Sequence, residues 1–329
     1  MQLFSEQVTI ENILKARANI RAFVKPTPLF RAEKLEELFG GAEIYLKLEN
    51  FQYTGSFKTR GAANKILSLT KEELSRGVCA ASSGNYAQAV AFVASRLKAK
   101  AVIVMPENAP AAKVEGVRGY GAEVVLYGLT GGDREDKCAE LTQQYNYCPV
   151  HLHDDPMIIM GHATVTVEAA EQIRVLSGSF DEIVFPCGAG SLLSGAARAS
   201  KSLMPNTKVT GVEPAAVPRF TMSLKEGKPL TVEMGQTIAD GLRVGRAKPL
   251  NFELIRDNVD NLLTLEDEPI RRAVREAALR CKIIAEPSGC IGIAAALDGK
   301  IDTGAGRRIC FVITGGNVDV QLLTDILNM

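Results

Sequence analysis

The sequence predicts an α/β protein with two open, twisted, mainly parallel sheets flanked by helices, the smaller sheet in a domain inserted into a larger one. Three observations carry this expectation. Short apolar runs alternate with helix-periodic segments from Val78 onward, which is the pattern of parallel strands joined by crossover helices. Glycine-bearing turns stand where several of those runs end, at Gly84, Gly188 and Gly315. The chain has 329 residues, 46% of them apolar, so it can bury a large core.

In chain order, Val8 to Val24 carries Ile10, Ile13, Leu14, Ala16 and Ile20 at helical spacing, and Pro26 and Pro28 stop that helix. Ile44 to Leu48 reads as a short strand. It feeds the loop Thr54-Gly55-Ser56-Phe57-Lys58-Thr59-Arg60-Gly61, after which Ala62, Ala63, Ile66 and Leu67 give a helical pattern. Three units follow: a strand over 78–81 with a helix over 86–97, a strand over 101–105 with a helix over 111–120, and a strand over 123–127 with a helix over 133–145. They delimit a small domain over 77–153, and 1–76 together with 154–329 form the large one. In the large domain the pattern gives a helix over 161–176, a strand over 182–185, a helix over 191–203 and a strand over 208–212. A less regular stretch comes next. Helices near 268–281 and 291–297 and a strand over 309–313 complete the reading.

Thirty-eight basic and 38 acidic residues cancel, so no charge footprint points to nucleic acid or an anionic membrane surface. A small molecule is the expected partner. The start, Met1-Gln2-Leu3-Phe4-Ser5-Glu6, lacks a basic, then apolar, signal pattern, and no apolar run has the length of a membrane span, so the expected location is the cytosol. Seven cysteines without a C-x-x-C pair read as buried thiols of a reducing compartment.

Lys58 is the residue on which a chemical reading turns. A lysine at a strand-to-helix transition beside Phe57 is a candidate nucleophile, because burial disfavours the ammonium and leaves a reactive amine. Ser-Phe-Lys-x-Arg-Gly at 56–61, Ser82-Ser83-Gly84-Asn85-Tyr86, Gly188-Ala189-Gly190-Ser191 and Thr314-Gly315-Gly316-Asn317 occur together in one order and spacing. In this the chain resembles the fold-type II pyridoxal phosphate (PLP) enzymes, in the threonine/serine dehydratase and serine racemase branch, from Pro26 to its end.

The resemblance implies that Lys58 holds PLP covalently and later acts as the base at the substrate Cα, with Phe57 lining the cofactor pocket. Gly188, Ala189, Gly190 and Ser191 lie between a strand and a helix, where backbone N–H groups and the helix dipole suit a phosphate. Relatives carry four glycines there. Ala189 is expected to restrict φ, and Ser191 to offer a hydroxyl instead. Thr314 matches the neutral hydroxyl facing the pyridine nitrogen, which weakens the ring as an electron sink and suits loss of a β-substituent.

Ser82, Ser83, Gly84, Asn85 and Tyr86 open a helix and are expected to bind the substrate carboxylate, with Asn85 also reaching the cofactor's phenolic oxygen. Ser83 stands where dehydratases commonly have alanine and serine racemases a serine that exchanges a proton opposite the lysine. Tyr86 replaces a histidine of most relatives. Arg134 matches a carboxylate-binding arginine of serine racemases, and Asp240 a motif near the substrate. His162 stands where relatives have glutamine, and Glu286-Pro287-Ser288-Gly289 reads as mainly structural.

No metal site is expected. His151 and His153, on one strand face, lack a third ligand. Cation-activated serine racemases pair a glutamate with an aspartate six residues on; here Glu213 matches the first and Arg219 replaces the second. The expected activity is PLP-dependent dehydration and deamination of a small β-hydroxy amino acid by a homodimer or homotetramer. The competing readings are an amino-acid racemase with dehydratase side activity, a β-replacement transferase of the cysteine-synthase type, and a PLP-binding relative that no longer turns over.

Overall fold

The computed structural model describes residues 4–151, 154–176 and 178–329. Its strands are β1 (Leu29–Arg31), β2 (Glu43–Leu48), β3 (Val78–Ala81), β4 (Ala101–Met105), β5 (Glu123–Leu126), β6 (Cys148–Pro149), β7 (Glu182–Pro186), β8 (Lys208–Pro214), β9 (Asn261–Leu265) and β10 (Arg308–Ile313). They form two sheets, ordered β1-β2-β10-β7-β8-β9 and β5-β4-β3-β6. Every pairing is parallel except that of β1 with β2. The central strands β2, β7 and β10 are buried almost throughout, as continuous apolar runs covered by helices on both faces should be.

Strand order fixes where a ligand can sit. In the six-stranded sheet β10 lies between β2 and β7, with Ile313 opposite Leu48 and Phe311 opposite Val184, so three adjacent strands end at one edge. Their outgoing loops carry Lys58, Gly188 and Thr314. In the four-stranded sheet the chain leaves β3, adds β4 and β5 on one side, and returns to β6 on the other. The loop after β3, which carries Ser82 to Gly84, is therefore at a topological switch point, where crevices form outside the carboxyl ends of strands.

The helix Lys58–Leu67 packs on the helix Pro156–Val175 at a close approach, since a methyl group on Gly161 would overlap the Arg60 carbonyl. Beneath that crossing is a buried ionic network. Arg60 binds Glu49 through two parallel bonds of 2.8 Å and reaches Glu168 at 3.2 Å, and Glu168 also takes Lys47 Nζ. Thr27 Oγ1 donates to Glu49, and Lys47 also donates to the Thr27 carbonyl.

The structure corrects the sequence reading in the irregular stretch and at several ends. Residues 213–267 hold two helices, Arg219–Glu226 and Pro249–Asn258, as well as β9. The first helix has only eight residues, barely two turns, the second opens on proline, and β9 is half-buried without alternation. A helix Val320–Leu327 closes the described chain. The helix expected from Gly161 begins at Pro156, capped by Asp155. β6 ends at Pro149, so His151 is outside any strand, and His153 lies outside the described residues. Six of the seven cysteines are buried and all seven are free thiols. Among the described residues no helix is long and apolar enough to cross a membrane.

Candidate active site

The Lys58 loop is held by the loop after β10. Phe57 N donates to Thr314 O at 3.0 Å, Gly316 N to Gly55 O at 2.9 Å, and Ser56 bridges Gly315. Asn317 Nδ2 donates to Thr54 O at 2.9 Å and to Asn85 Oδ1 at 2.8 Å, which ties both loops to the small-sheet side. The outcome is a cavity of about 860 Å³ between the carboxyl ends of the two sheets, within the range of small-molecule sites. All fourteen residues singled out in the sequence line it: Phe57, Lys58, Ser82 to Tyr86, Arg134, Gly188 to Ser191, Asp240 and Thr314.

Of the helices that begin at this cavity, those starting at Lys58, Asn85 and Ser191 have no side-chain cap. Thr130, which also lines the cavity, caps the helix that begins at Gly131, and Thr9, Thr70, Asp155 and Asp319 cap theirs away from it. Uncapped first turns leave N–H groups and the positive dipole ends free for anions. At Gly190 φ is +93° and a methyl would strike Phe220, so glycine is required. Ala189 is not at positive φ; the alanine therefore costs the loop no backbone freedom, contrary to the expectation above.

Lys58 Nζ lies 4.6 Å from the centre of the Phe57 ring. Loss of water lowers its pKa to about 8, against the upward pull of the Glu286 carboxylate. Glu286 is itself buried, and burial raises its pKa to about 7, opposed by hydrogen bonds from Asn85. Sequence reasoning treated Glu286 as structural, yet it lines the cavity; a glutamate before Pro287 looks like an ordinary helix start, and nothing local betrays the contact with Asn85. The neighbouring Ser288 Oγ accepts from Gly241 N at 3.0 Å, which fixes the Asp240 turn.

The remaining candidates differ in availability. Tyr86 is buried, and its hydroxyl lies 3.3 Å and 3.2 Å from the carbonyls of Val150 and His151, so its hydrogen is committed to the main chain. Asp240 pairs with Lys113 at 3.0 Å across the cavity mouth. Arg134 is half-buried without an ion-pair partner among the described residues, and burial lowers its pKa. Thr314 is buried beside the cavity. His162 lies behind the lining, 3.2 Å from Ser191 Oγ through Nδ1.

Arg219 is fully buried, with Nη1 at 3.7 Å from Glu213 Oε1. Its guanidinium also reaches the carbonyls of Leu242, at 3.5 Å, and Cys187, at 3.4 Å. Glu213 accepts from Phe220 N, Thr221 N and Thr221 Oγ1. Among the described residues no group of three His, Cys, Asp or Glu could hold a metal ion.

The donor set fits PLP: a depressed lysine amine, an uncapped glycine-bearing helix start and a buried threonine share one cavity of suitable size. Comparison with known proteins agrees. The family profile described as pyridoxal-phosphate dependent enzyme matches residues 20–315. The chain is 38% identical to the L-threo-3-hydroxyaspartate ammonia-lyase of Saccharomyces cerevisiae, over 97% of this chain and 96% of that protein. It is 39% identical to the L-threonine ammonia-lyase of Thermotoga maritima, over 98% of this chain and 78% of that protein. The structure of maize serine racemase superposes with a TM-score of 0.91 at 34% identity, covering 97% of each chain. The chain thus belongs to the fold-type II PLP-dependent enzymes, in the branch of the threonine/serine dehydratases and serine racemases.

Proposed function

We propose that the protein eliminates water and then ammonia from a small β-hydroxy amino acid such as L-threonine or L-serine, giving a 2-oxo acid. The observation that carries this reading is the convergence of the Lys58 amine, two uncapped helix starts and Thr314 on one cavity. When bound, PLP supplies an electron sink for the electron pair left at Cα. Lys58 would hold the cofactor through Nζ, and the same amine, when free, would take the Cα proton. Gly188, Ala189, Gly190 and Ser191 would hold the phosphate with backbone N–H groups and the Ser191 hydroxyl. Phe57 would pack beside the cofactor, Thr314 would offer its ring nitrogen a neutral hydroxyl, and Asn85 would offer its phenolic oxygen the amide that here bonds Glu286.

The substrate carboxylate binds at the Asn85 helix start, to Ser82, Ser83 and Gly84, with Arg134 as counter-charge and Asp240 at the far side. Tyr86 shapes this pocket with its ring, its hydroxyl being committed elsewhere. Glu286, with a pKa of about 7, is protonated in part of the population near neutrality and is the acid best suited to assist departure of the β-hydroxyl. Water leaves as the Cα–Cβ double bond forms; a water molecule then hydrolyses the tautomerised enamine and frees ammonia. The names of the yeast and Thermotoga relatives, both ammonia-lyases of β-hydroxy amino acids, support this chemistry.

A racemase with dehydratase side activity is the second reading. It is favoured by Ser83, which lines the cavity, and by the likeness to maize serine racemase. The same proposal takes 77–153 as a small domain inserted between 1–76 and 154–329, because every strand of the four-stranded sheet falls between Val78 and Pro149. It also includes a homodimeric or homotetrameric state in the cytosol, the latter supported by seven free thiols.

One experiment separates these readings: measure keto acid, ammonia and enantiomer formed from serine, threonine and 3-hydroxyaspartate, and map the peptide labelled by borohydride reduction of the PLP-loaded protein. Keto acid with label on Lys58 is the expected outcome. Enantiomer as main product favours the racemase, PLP uptake without any product the inactive relative, and label on another lysine overturns the proposed mechanism.

A further inference from the structure

His162 and Ser191 are 29 residues apart in sequence, sit on different helices and are both buried. Ser191 lines the cavity as the first residue of its helix, whereas His162 is behind it. The imidazole is fixed in orientation. The Phe57 ring meets it edge-on at 4.6 Å and 61°, and its Nε2 edge lies against Gly61, where even a methyl group would collide. Nδ1 is 3.2 Å from Ser191 Oγ, while Nε2 is buried without any hydrogen-bond partner.

Burial, and after it the cations of Lys58 and Arg60, hold the His162 pKa well below its usual value against a smaller upward pull from the Lys58 main chain, so the ring is neutral and has a single N–H. The geometry around the ring decides where that hydrogen belongs. On Nε2 it would be a buried donor with no acceptor at full hydrogen-bonding geometry, the main chain of Lys58 being the weakest of the influences on the ring, and the Ser191 hydroxyl hydrogen would have to turn back to Nδ1. On Nδ1 it is satisfied by Ser191 Oγ, and only a lone pair at Nε2 is left orphaned, which is the lesser penalty. A phosphate in the loop favours the same arrangement, because its oxygens accept and Ser191 must donate to it.

We infer that His162 is a positioning residue for the cofactor phosphate: its Nδ1–H donates to Ser191 Oγ and turns the Ser191 hydroxyl hydrogen toward the phosphate. The inference rests on the reading that PLP occupies this cavity. It explains why a histidine that cannot touch cofactor or substrate is wedged beside the Lys58 helix. Ser191 without His162 would be free to turn its hydrogen elsewhere, and His162 without Ser191 would hold a buried donor with nothing to accept it.

The test is binding of PLP and of pyridoxal, which lacks the phosphate, to the apoprotein of the wild type, His162→Leu, His162→Asn, Ser191→Ala and the Leu/Ala double variant. His162→Leu and Ser191→Ala should each weaken PLP about tenfold, the scale of one hydrogen bond to a charged group, and leave pyridoxal unchanged. The double variant should lose no more than either single one. His162→Asn, whose amide nitrogen falls near the position of Nδ1, should recover most of the loss. The chain has three histidines, so ¹⁵N NMR of the holoprotein, assigned with the Asn variant, reads the tautomer directly and needs no folded Leu variant. Hydrogen on Nε2, additive losses, or equal weakening of PLP and pyridoxal would overturn the inference. A wild-type apoprotein that takes up neither ligand would overturn the cofactor reading itself, and this inference with it.

Discussion

Asn85 Nδ2 donates to both carboxylate oxygens of Glu286, at 2.9 and 3.1 Å, and so joins the start of a small-sheet helix to the start of a large-sheet helix across the cavity. Glu286 is also the carboxylate that raises the pKa of Lys58 against desolvation. The two effects meet at the amine on which the proposed chemistry depends.

Only the neutral amine attacks an aldehyde, and the neutral fraction of Lys58 grows as pH rises through its pKa. The rate of PLP capture by the apoprotein should therefore climb with a midpoint near pH 8, below the usual lysine value. Glu286, with a pKa of about 7, is ionised at that pH, so Glu286→Gln removes a favourable charge and moves the midpoint down. Stopped-flow absorbance across pH 6 to 11 measures both. A wild-type midpoint above about 10, or one that Glu286→Gln raises, would contradict the assignment.

Ser83 lines the cavity beside the Asn85 helix start, and two-face proton exchange needs a donor opposite Lys58. Ser83→Ala should abolish any racemisation while elimination stays within about tenfold of wild type. Chiral chromatography and keto-acid release from the same reaction give the ratio. Equal loss of both activities would reduce Ser83 to a carboxylate contact.

What the sequence made legible follows from the range of the signals. The strand β7 and the helix Ser191–Leu203 are read nearly to the residue, because an apolar run, a glycine turn and a helical period are all local. The same holds for the lining residues, which sit on short glycine-bearing loops at strand ends. The irregular stretch stayed opaque because its helices are short and β9 is half-buried. Glu286 with Asn85, and His162 with Ser191, are pairs made by the fold across 201 and 29 residues, and no local pattern announces them.

The ionic network under the Lys58 helix is another such feature. Glu49 and Arg60 are both buried and form two parallel bonds of 2.8 Å, so Glu49→Gln leaves a buried guanidinium only partly compensated by Glu168. The expected cost is about 3–5 kcal/mol, the scale of breaking one partner out of a buried pair. Urea denaturation of the apoprotein reads it as a lower midpoint. A loss under about 1 kcal/mol, as for a surface pair, would mean that water reaches the network.

Arg219 stands where the resemblance to cation-activated serine racemases puts an oxygen ligand, and its surroundings explain how the fold accepts it. Its guanidinium faces Glu213 and the carbonyls of Cys187 and Leu242, acceptors that a hard cation would also seek. A fixed cation at this point ties Cys187, just before the Gly188 loop, to the turn that carries Asp240. Guanidinium is permanently charged, so this tie needs no dissociable ion. Activity and melting temperature should be unchanged by EDTA and by added Mg²⁺ or Ca²⁺. Arg219→Met should lower both, since it leaves the buried Glu213 carboxylate without its counter-charge, at about 3–5 kcal/mol. A large, saturable activation of the wild type by either ion would show that a divalent site persists beside Arg219, and the substitution would then have another meaning.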